Sequence, residues 1–392
     1  MKTQVGIIGA GPAGLLLSHL LALRGIDSVV LEHHPQPYVI NRVRAGVLEQ
    51  GTVDILKESG VGERLSKEGL EHHGIELLFG GIARRIDFPS LTGGKAVTVY
   101  GQREVIKDLI AAREAAGGKV LFEAKAYKLE NLHDKPIIHF EQAGQAYQLN
   151  CDYIAGCDSF HGIARKSIPN DILKVYERIY PFAWLGILAE AAPSSPELIY
   201  ANSAEGFALH SMRSPSISRN YIQCDPQDKL ERWTDEAIWE ALERRLARND
   251  SPFKLSRGEI LEKSITPMRS FVTEPMRYER LFLAGDAAHI VPPTGAKGMN
   301  LAVSDVRILA KALSDFYQEG SEEGLNGYSE KCLNRVWKVT RFSWWMTSML
   351  HKYPEDDDFG HKLQLAQLDY TTSSLAAQTT LAENYVGLDL EL

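Results

Sequence analysis

The 392-residue sequence is poor in cysteine, short of basic charge and without long apolar runs. Its four cysteines, Cys151, Cys157, Cys224 and Cys332, have no CxxC spacing, so neither a disulfide framework nor a metal site is expected. Reduced thiols suit a cytoplasmic chain. Lys and Arg total 43 against 51 Asp and Glu, a formal charge of −8. That balance argues against a general nucleic-acid binder, which needs a basic face, but leaves room for one buried Arg to capture a small anion. No stretch approaches the roughly 20 apolar residues of a membrane helix, so no membrane partner is expected. No basic segment with an apolar core opens the chain, so no secretory signal is expected. Internal repeats and low-complexity tracts are also missing.

What is present reads as a mixed α/β (α+β) chain. Residues 4–32 form a βαβ unit: an apolar strand Gln4 to Ile8, a turn, a helix Leu15 to Arg24 and a strand Ser28 to Glu32. A helical stretch is expected around Gly46 to Ser66 and another over Glu104 to Ala115. Strands are expected near Ile75–Phe79, Ala96–Val99, Val120–Glu123, Ile137–Glu141 and Asp152–Ala155. From Ala183 to Cys224 short strands alternate with turn residues, as in an antiparallel meander with one buried face. A helix follows over Asp235 to Arg248, a buried strand returns at Leu281 to Ala284, and from about Gly298 the chain is mostly helical. The expected organisation is a Rossmann-like nucleotide-binding domain (1–175), an antiparallel-sheet substrate domain (176–268), and a segment returning to the cofactor before a helical C-terminal region (269–392).

Gly9-Ala10-Gly11-Pro12-Ala13-Gly14 matches GxGxxG directly after a strand. The first glycine permits the tight turn, the second lets a pyrophosphate approach, and the third lets the helix pack on the sheet. The helix amides then face the phosphates. Glu32 stands at the end of the second strand, where an acid accepts from the adenosine ribose. This motif does not separate FAD from NAD; the distant Leu281-Phe282-Leu283-Ala284-Gly285-Asp286-Ala287-Ala288-His289 does. A strand ending in Gly-Asp can present a carboxylate to a ribityl chain. The glycine-punctuated turn Pro292 to Asn300 can set amides against the polar edge of a flavin ring, whose negative charge rises on reduction.

These segments resemble the single-component flavoprotein aromatic hydroxylases. The resemblance extends through Arg42-Val43-Arg44-Ala45-Gly46-Val47-Leu48-Glu49-Gln50, Asp152 to Asp158, Glu197 to Asn202, Gly285 to Asn300, Arg341 to Ser348 and Glu383 to Gly387, and so spans essentially the whole chain. It implies bound FAD, NADPH or NADH as electron donor, O2 as co-substrate and a small aromatic acid as substrate, an apolar ring with a carboxylate at one end and a phenol at the other. It implies cofactor contacts from Gly9, Gly11, Ala13, Gly14, Glu32, Arg42, Val43, Arg44, Ala45, Gly46, Val47, Gln102, Asp158, Arg219, Asp286, Met299 and Asn300.

Period-two alternation places Phe207, Leu209, Ser211 and Arg213 on one strand face, and Arg219 with Tyr221 on another. An Arg and a Ser ending an apolar face suit a carboxylate, which guanidinium binds bidentately. The resemblance makes Ser211, Arg213 and Tyr221 the carboxylate clamp and adds Met212 to the substrate contacts. At the phenol end it gives Tyr200 and Tyr385 a proton relay that His72 connects to solvent, with the Pro293 carbonyl orienting the substrate hydroxyl. A free phenol titrates near pH 10, so it needs such help to ionise; His is a suitable terminus because it ordinarily titrates near neutrality.

Nicotinamide dinucleotide contacts are implied for His33, His34, Tyr38, Arg42, Arg44, His161 and Arg269. Two departures stand out. The family's Asp-Gly pair is Asp158-Ser159 here, and Ser accepts positive φ less readily than Gly, so an adjusted turn is expected. His33-His34 stand where NADPH-preferring relatives carry an Arg first, so NADPH use with weak discrimination against NADH is expected. Two other readings share these residues: a related hydroxylase acting on a different phenolic acid, and a non-catalytic FAD-binding protein. The aromatic segment Trp337 to Leu350 reads as core packing; the resemblance makes part of it a homodimer interface.

Overall fold

Val5–Ile8, Ser28–Leu31 and Tyr153–Gly156 are largely apolar and buried throughout. Strands buried on both faces belong to a parallel sheet covered by helices. These three pair in parallel in the computed structural model of the chain, which describes residues 1–42 and 46–391. The full sheet runs Arg277–Tyr278, Leu281–Leu283, Tyr153–Gly156, Val5–Ile8, Ser28–Leu31, Lys119–Leu121. The helix Pro12–Ala22 packs against it and against the long helix Gly298–Glu319.

A second sheet of eight strands runs His289–Ile290, Glu259–Glu274, Lys174–Glu190, Ile217–Cys224, Ala208–Ser214, Leu198–Ala201, Gly74–Phe79, Ile82–Asp87. Its centre is the expected meander, but Lys174–Glu190 and Glu259–Glu274 are far longer strands than short turn-punctuated segments suggest. The two sheets interleave along the chain. Gly74–Phe79 and Ile82–Asp87 come from the first 175 residues yet join the second sheet, while Leu281–Leu283 returns to the first. The helix expected over 46–66 is instead two, Gln50–Glu58 and Glu63–Glu68, after a two-residue strand Val47–Leu48. Gly60, with φ +80°, and Gly62 divide them; a Cβ at Gly62 would sit 2.7 Å from the Lys57 Cα.

The C-terminal part is helical: Glu323–Leu350, Asp358–Ser373 and Leu375–Val386. The last has 12 residues and would be marginal alone. It docks through buried Leu381, Ala382, Tyr385 and Val386; each large apolar side chain taken from water contributes about 1.5–3 kcal/mol. That docking places Tyr385 in one apolar cluster with Tyr200, Phe207 and Trp184 of the second sheet. All four cysteines are buried, unpaired thiols. Among the described residues, no helix is long and apolar enough to cross a membrane.

Candidate active site

The turn after the first strand depends on glycine. Gly9 has φ +104°, and a Cβ there would sit 2.3 Å from the Cys157 carbonyl oxygen; at Gly14 it would sit 2.0 Å from that of Gly9. Gly11 faces open space instead. The helix Pro12–Ala22, with Ala13 buried in its first turn, has no side-chain cap at its start, so its positive end is left to an anion. This is the room and polarity a pyrophosphate requires. Beside it, Glu32 is buried and held by backbone amides: Ala10 N–H donates to Oε2 and His34 N–H to Oε1, each at 2.9 Å.

Asp158 Oδ2 accepts from the Ala164 amide at 2.8 Å, while its buried Oδ1 has no hydrogen-bond partner among the described residues. Burial pushes this carboxyl above its ordinary value, although three backbone amides and Arg165 oppose the shift. The buried Arg219 Nη1 is likewise unpartnered. Such orphaned polar atoms fit a cradle completed by a polar cofactor. Ser159 keeps the left-handed conformation at φ +64°, so the turn is retained, not adjusted.

Asp286 is exposed at the start of its turn, Met299 is half-buried and Asn300 buried. Asn300 accepts from the Glu49 amide at 2.9 Å and donates to the Val47 carbonyl at 2.9 Å, tying the Pro292 to Asn300 turn to the Gly46-Val47 segment. Gly46 is required there, because a Cβ would meet the Tyr100 carbonyl oxygen at 2.5 Å. Gln102 opens the helix Gln102–Ala115 just beyond that contact. Arg42 is exposed; Val43, Arg44 and Ala45 lie outside the described residues.

Two ends of a candidate substrate site lie along the second sheet, one of them completed by the helix Leu375–Val386. At one, the phenol oxygens of Tyr200 and Tyr385 are 2.6 Å apart and both side chains are buried. Burial, then the Tyr385 phenol, pushes Tyr200 well above its ordinary value; burial does the same to Tyr385 against the bond from Tyr200. Both are therefore neutral hydrogen-bonding groups at physiological pH. At the other end, burial pushes the Tyr221 phenol up, but Arg219 and Arg213 together outweigh it and leave it below its ordinary value. Arg219 Nε donates to Tyr221 Oη at 3.3 Å, and Ser211 Oγ donates to the Arg219 carbonyl at 3.0 Å.

The strand face is not regular to its end. The pairing shifts register between Met212 and Ser214, so Arg213 sits at an irregularity that re-aims its side chain. Met212 is half-buried opposite Ser218. Between the two ends runs a wall of rings: Tyr221 to Trp184 at 4.7 Å, Trp184 to Phe207 at 5.0 Å, Phe207 to Tyr200 at 6.2 Å.

The FAD binding domain family matches residues 2–343. The p-hydroxybenzoate hydroxylase of Acinetobacter baylyi is 54% identical over 392 residues, covering 100% of this chain and 97% of that one. The chain belongs to the FAD-dependent aromatic hydroxylases. More distant relatives include the rifampicin monooxygenase of Streptomyces venezuelae, 25% identical over 82% of this chain and 66% of its own length. The fold is shared with p-nitrophenol 4-monooxygenase from Pseudomonas putida DLL-E4, at a TM-score of 0.85 and 18% identity, covering 99% of each chain.

For an FAD-dependent hydroxylase the remaining residues fall into groups. His33, His34 and Tyr38 pack together as tilted rings, with centroids 3.7 Å and 3.9 Å apart, beside Arg42. His161 and Arg269 both pack on Phe160, at 5.0 Å and 4.7 Å. His72 is buried, and neither ring nitrogen has a partner among the described residues. Burial pushes it down to about 4 against the opposing charge of Glu197, which overturns the expectation that it titrates near neutrality. Pro293 is exposed, and its carbonyl accepts from the Ala296 amide at 2.9 Å.

Sequence reasoning did not single out a buried charge cluster beside Tyr385. Lys297, 1% exposed, donates to Glu49 Oε1 at 2.6 Å and to the Tyr385 carbonyl at 2.8 Å, and Arg335 donates to Glu49 Oε2 at 3.0 Å. The Lys297 ammonium also lies 5.6 Å from the Tyr385 ring centroid. The one signal for it is a lysine whose neighbours over residues 292–298 are all Pro, Thr, Gly or Ala.

Proposed function

We propose that this FAD-dependent monooxygenase hydroxylates 4-hydroxybenzoate at the 3-position, giving 3,4-dihydroxybenzoate with consumption of NAD(P)H and O2. The single observation that carries the reading is the Tyr200–Tyr385 pair at 2.6 Å, joined by a wall of rings to the Arg213–Tyr221–Ser211 group. A ring with a carboxylate at one pole and a phenol at the other matches both ends, and the full-length 54% identity to a p-hydroxybenzoate hydroxylase supports that choice.

FAD would be held by the Gly9–Gly14 turn, Glu32, Asp158, Arg219, Asp286 and the Met299-Asn300 segment, and would supply the redox chemistry between NAD(P)H and O2. The chain supplies the rest. Arg213 and Ser211 bind the substrate carboxylate, a charge-assisted pairing that fixes orientation. Tyr200 donates to the substrate phenolate oxygen while Tyr385 receives the displaced proton across the 2.6 Å contact. Neither tyrosine ionises, since burial raises both; they work as a wire in which each hydroxyl accepts one proton and passes one on. The Glu49–Lys297–Arg335 cluster, two cations about one carboxylate, leaves a net positive charge near that wire and favours the phenolate, the electron-rich form that hydroxylation needs. His72, neutral at physiological pH because burial holds it near 4, is a proton carrier toward solvent, not a fixed charge.

NADPH is the proposed donor, with weak discrimination against NADH at the His33-His34-Tyr38-Arg42 and His161-Arg269 groups. A homodimer is proposed through the face of Glu323–Leu350 that its own core leaves uncovered: Trp337 and Trp344, both 39% exposed, line one cavity with exposed Tyr176, whose ring lies 5.4 Å from that of Trp337. A cytoplasmic location suits four unpaired cysteines. The test is product analysis with NADPH, O2 and a panel of benzoates bearing hydroxyl or amino groups. The reading requires 3,4-dihydroxybenzoate from 4-hydroxybenzoate near one per NADPH; preferential, coupled turnover of the diol or an aminobenzoate would replace it with the related-hydroxylase reading.

A further inference from the structure

Among the described residues, the most deeply buried ion pair that the proposed reaction does not use lies under the Gly285-Asp286 turn, the segment expected to meet the FAD ribityl chain. His289 Nε2 and Asp305 Oδ2 are 2.6 Å apart, each side chain 1% exposed. The same Asp305 oxygen accepts the Gly285 amide at 2.9 Å. Gly285 has φ +63°, and a Cβ there would sit 3.1 Å from that of Ala302, one turn before Asp305 on Gly298–Glu319. That helix begins at the ring-facing turn Pro292 to Asn300, while His289 bridges to Val272 of Glu259–Glu274. One carboxylate oxygen therefore joins three pieces of chain: the Gly285-Asp286 turn, the strand that follows it, and the helix carrying Met299 and Asn300.

A carboxylate buried this completely needs compensation, which a charged donor and a backbone amide supply together. We propose that the His289–Asp305 pair is a positioning device for FAD, locking the Gly285 turn to the Gly298–Glu319 helix so that Asp286 and the ring-facing turn meet the cofactor in a fixed relation. Neither residue touches the reacting atoms. Burial alone would lower the His289 imidazole, but Asp305 outweighs it and holds it above its ordinary value, which favours the charged partnership. The pair stands on FAD binding, shown by family membership, and not on the identity of the aromatic substrate.

The test measures FAD affinity of the full chain after reversible cofactor removal, by quenching of flavin fluorescence, alongside thermal unfolding of the cofactor-free protein. Asp305→Asn is expected to raise the FAD Kd by about tenfold or more, the size of one lost charge-assisted hydrogen bond. His289→Gln, whose amide can still donate from near the Nε2 position, is expected to stay within about threefold of the parent, and His289→Leu to behave like Asp305→Asn. Folded Asp305→Asn and His289→Leu proteins with parental FAD Kd would overturn the proposal, as would loss of cofactor-free stability with unchanged affinity. Hydrogen exchange on the unsubstituted chain gives an independent reading if the variants do not fold. The Gly285 amide is expected to be protected before FAD is added; free exchange that slows only on FAD binding would mean that the cofactor, not the pair, orders the turn.

Discussion

Tyr200 and Tyr385 are 185 residues apart in sequence and 2.6 Å apart in space. No spacing rule could bring them together; the resemblance named the pair, and the docking of Leu375–Val386 explains how a distant helix delivers it. Because burial raises both phenols, the account predicts a definite effect of Tyr200→Phe. The bound 4-hydroxybenzoate phenol loses its donor, so its ionisation moves to higher pH and kcat at neutral pH falls by about a hundredfold, the lower range of acid–base contributions. Ultraviolet titration of the ligand on the protein reads the first effect and steady-state kinetics the second; an unmoved ligand titration would remove Tyr200 from the relay. The Glu49–Lys297–Arg335 cluster was not legible from sequence because its members are charged residues, and charge in a sequence points first to solvent.

The glycine turn, its helix and the Ser28–Leu31 strand were readable because apolar runs, glycine spacing and a terminal acid are all local. The long strands Lys174–Glu190 and Glu259–Glu274 were not, since their partners lie far along the chain and only pairing reveals their length. Ser159 shows tertiary context overriding residue preference: it keeps φ +64° where Gly is the easier residue. The left-handed region costs a non-Gly residue about 1–2 kcal/mol, and a Gly gives back about 0.4–1 kcal/mol through a freer unfolded chain. Ser159→Gly should therefore stabilise the FAD-loaded protein by between roughly 0 and 1.6 kcal/mol in urea unfolding, the difference of those two ranges; a destabilised variant would show that the exposed Ser159 side chain makes a contact of its own.

Burial, then the neighbouring His33, holds His34 below its ordinary value of 6.5, against the opposing charge of Glu32. It therefore gains positive charge only as pH falls below that value, and only then attracts a 2′-phosphate. The ratio of kcat/KM for NADPH over NADH is predicted to stay below a thousandfold at pH 8 and to rise toward pH 6. A ratio in the thousands, or one that falls on acidification, contradicts this reading of the histidines.

Across the whole molecule, Glu323–Leu350 turns one face inward through Phe342, Met346, Met349 and Leu350 and another outward through Trp337 and Trp344. If the outward face is the homodimer contact, Trp344→Glu should sediment as a monomer with its flavin retained, whereas an unchanged mass would place the contact elsewhere. The second sheet and the C-terminal helices meet around the proposed substrate site, where Tyr200, Phe207, Trp184 and Tyr385 share one apolar cluster. Anaerobic rapid mixing of the holoenzyme with NADPH, with and without 4-hydroxybenzoate, tests the proposed reaction most directly through bleaching of the flavin absorbance. The account predicts that the ligand accelerates bleaching strongly while benzoate, which has the carboxylate but no phenol for Tyr200, does so much less. Equal bleaching rates with 4-hydroxybenzoate, with benzoate and with no ligand would contradict it.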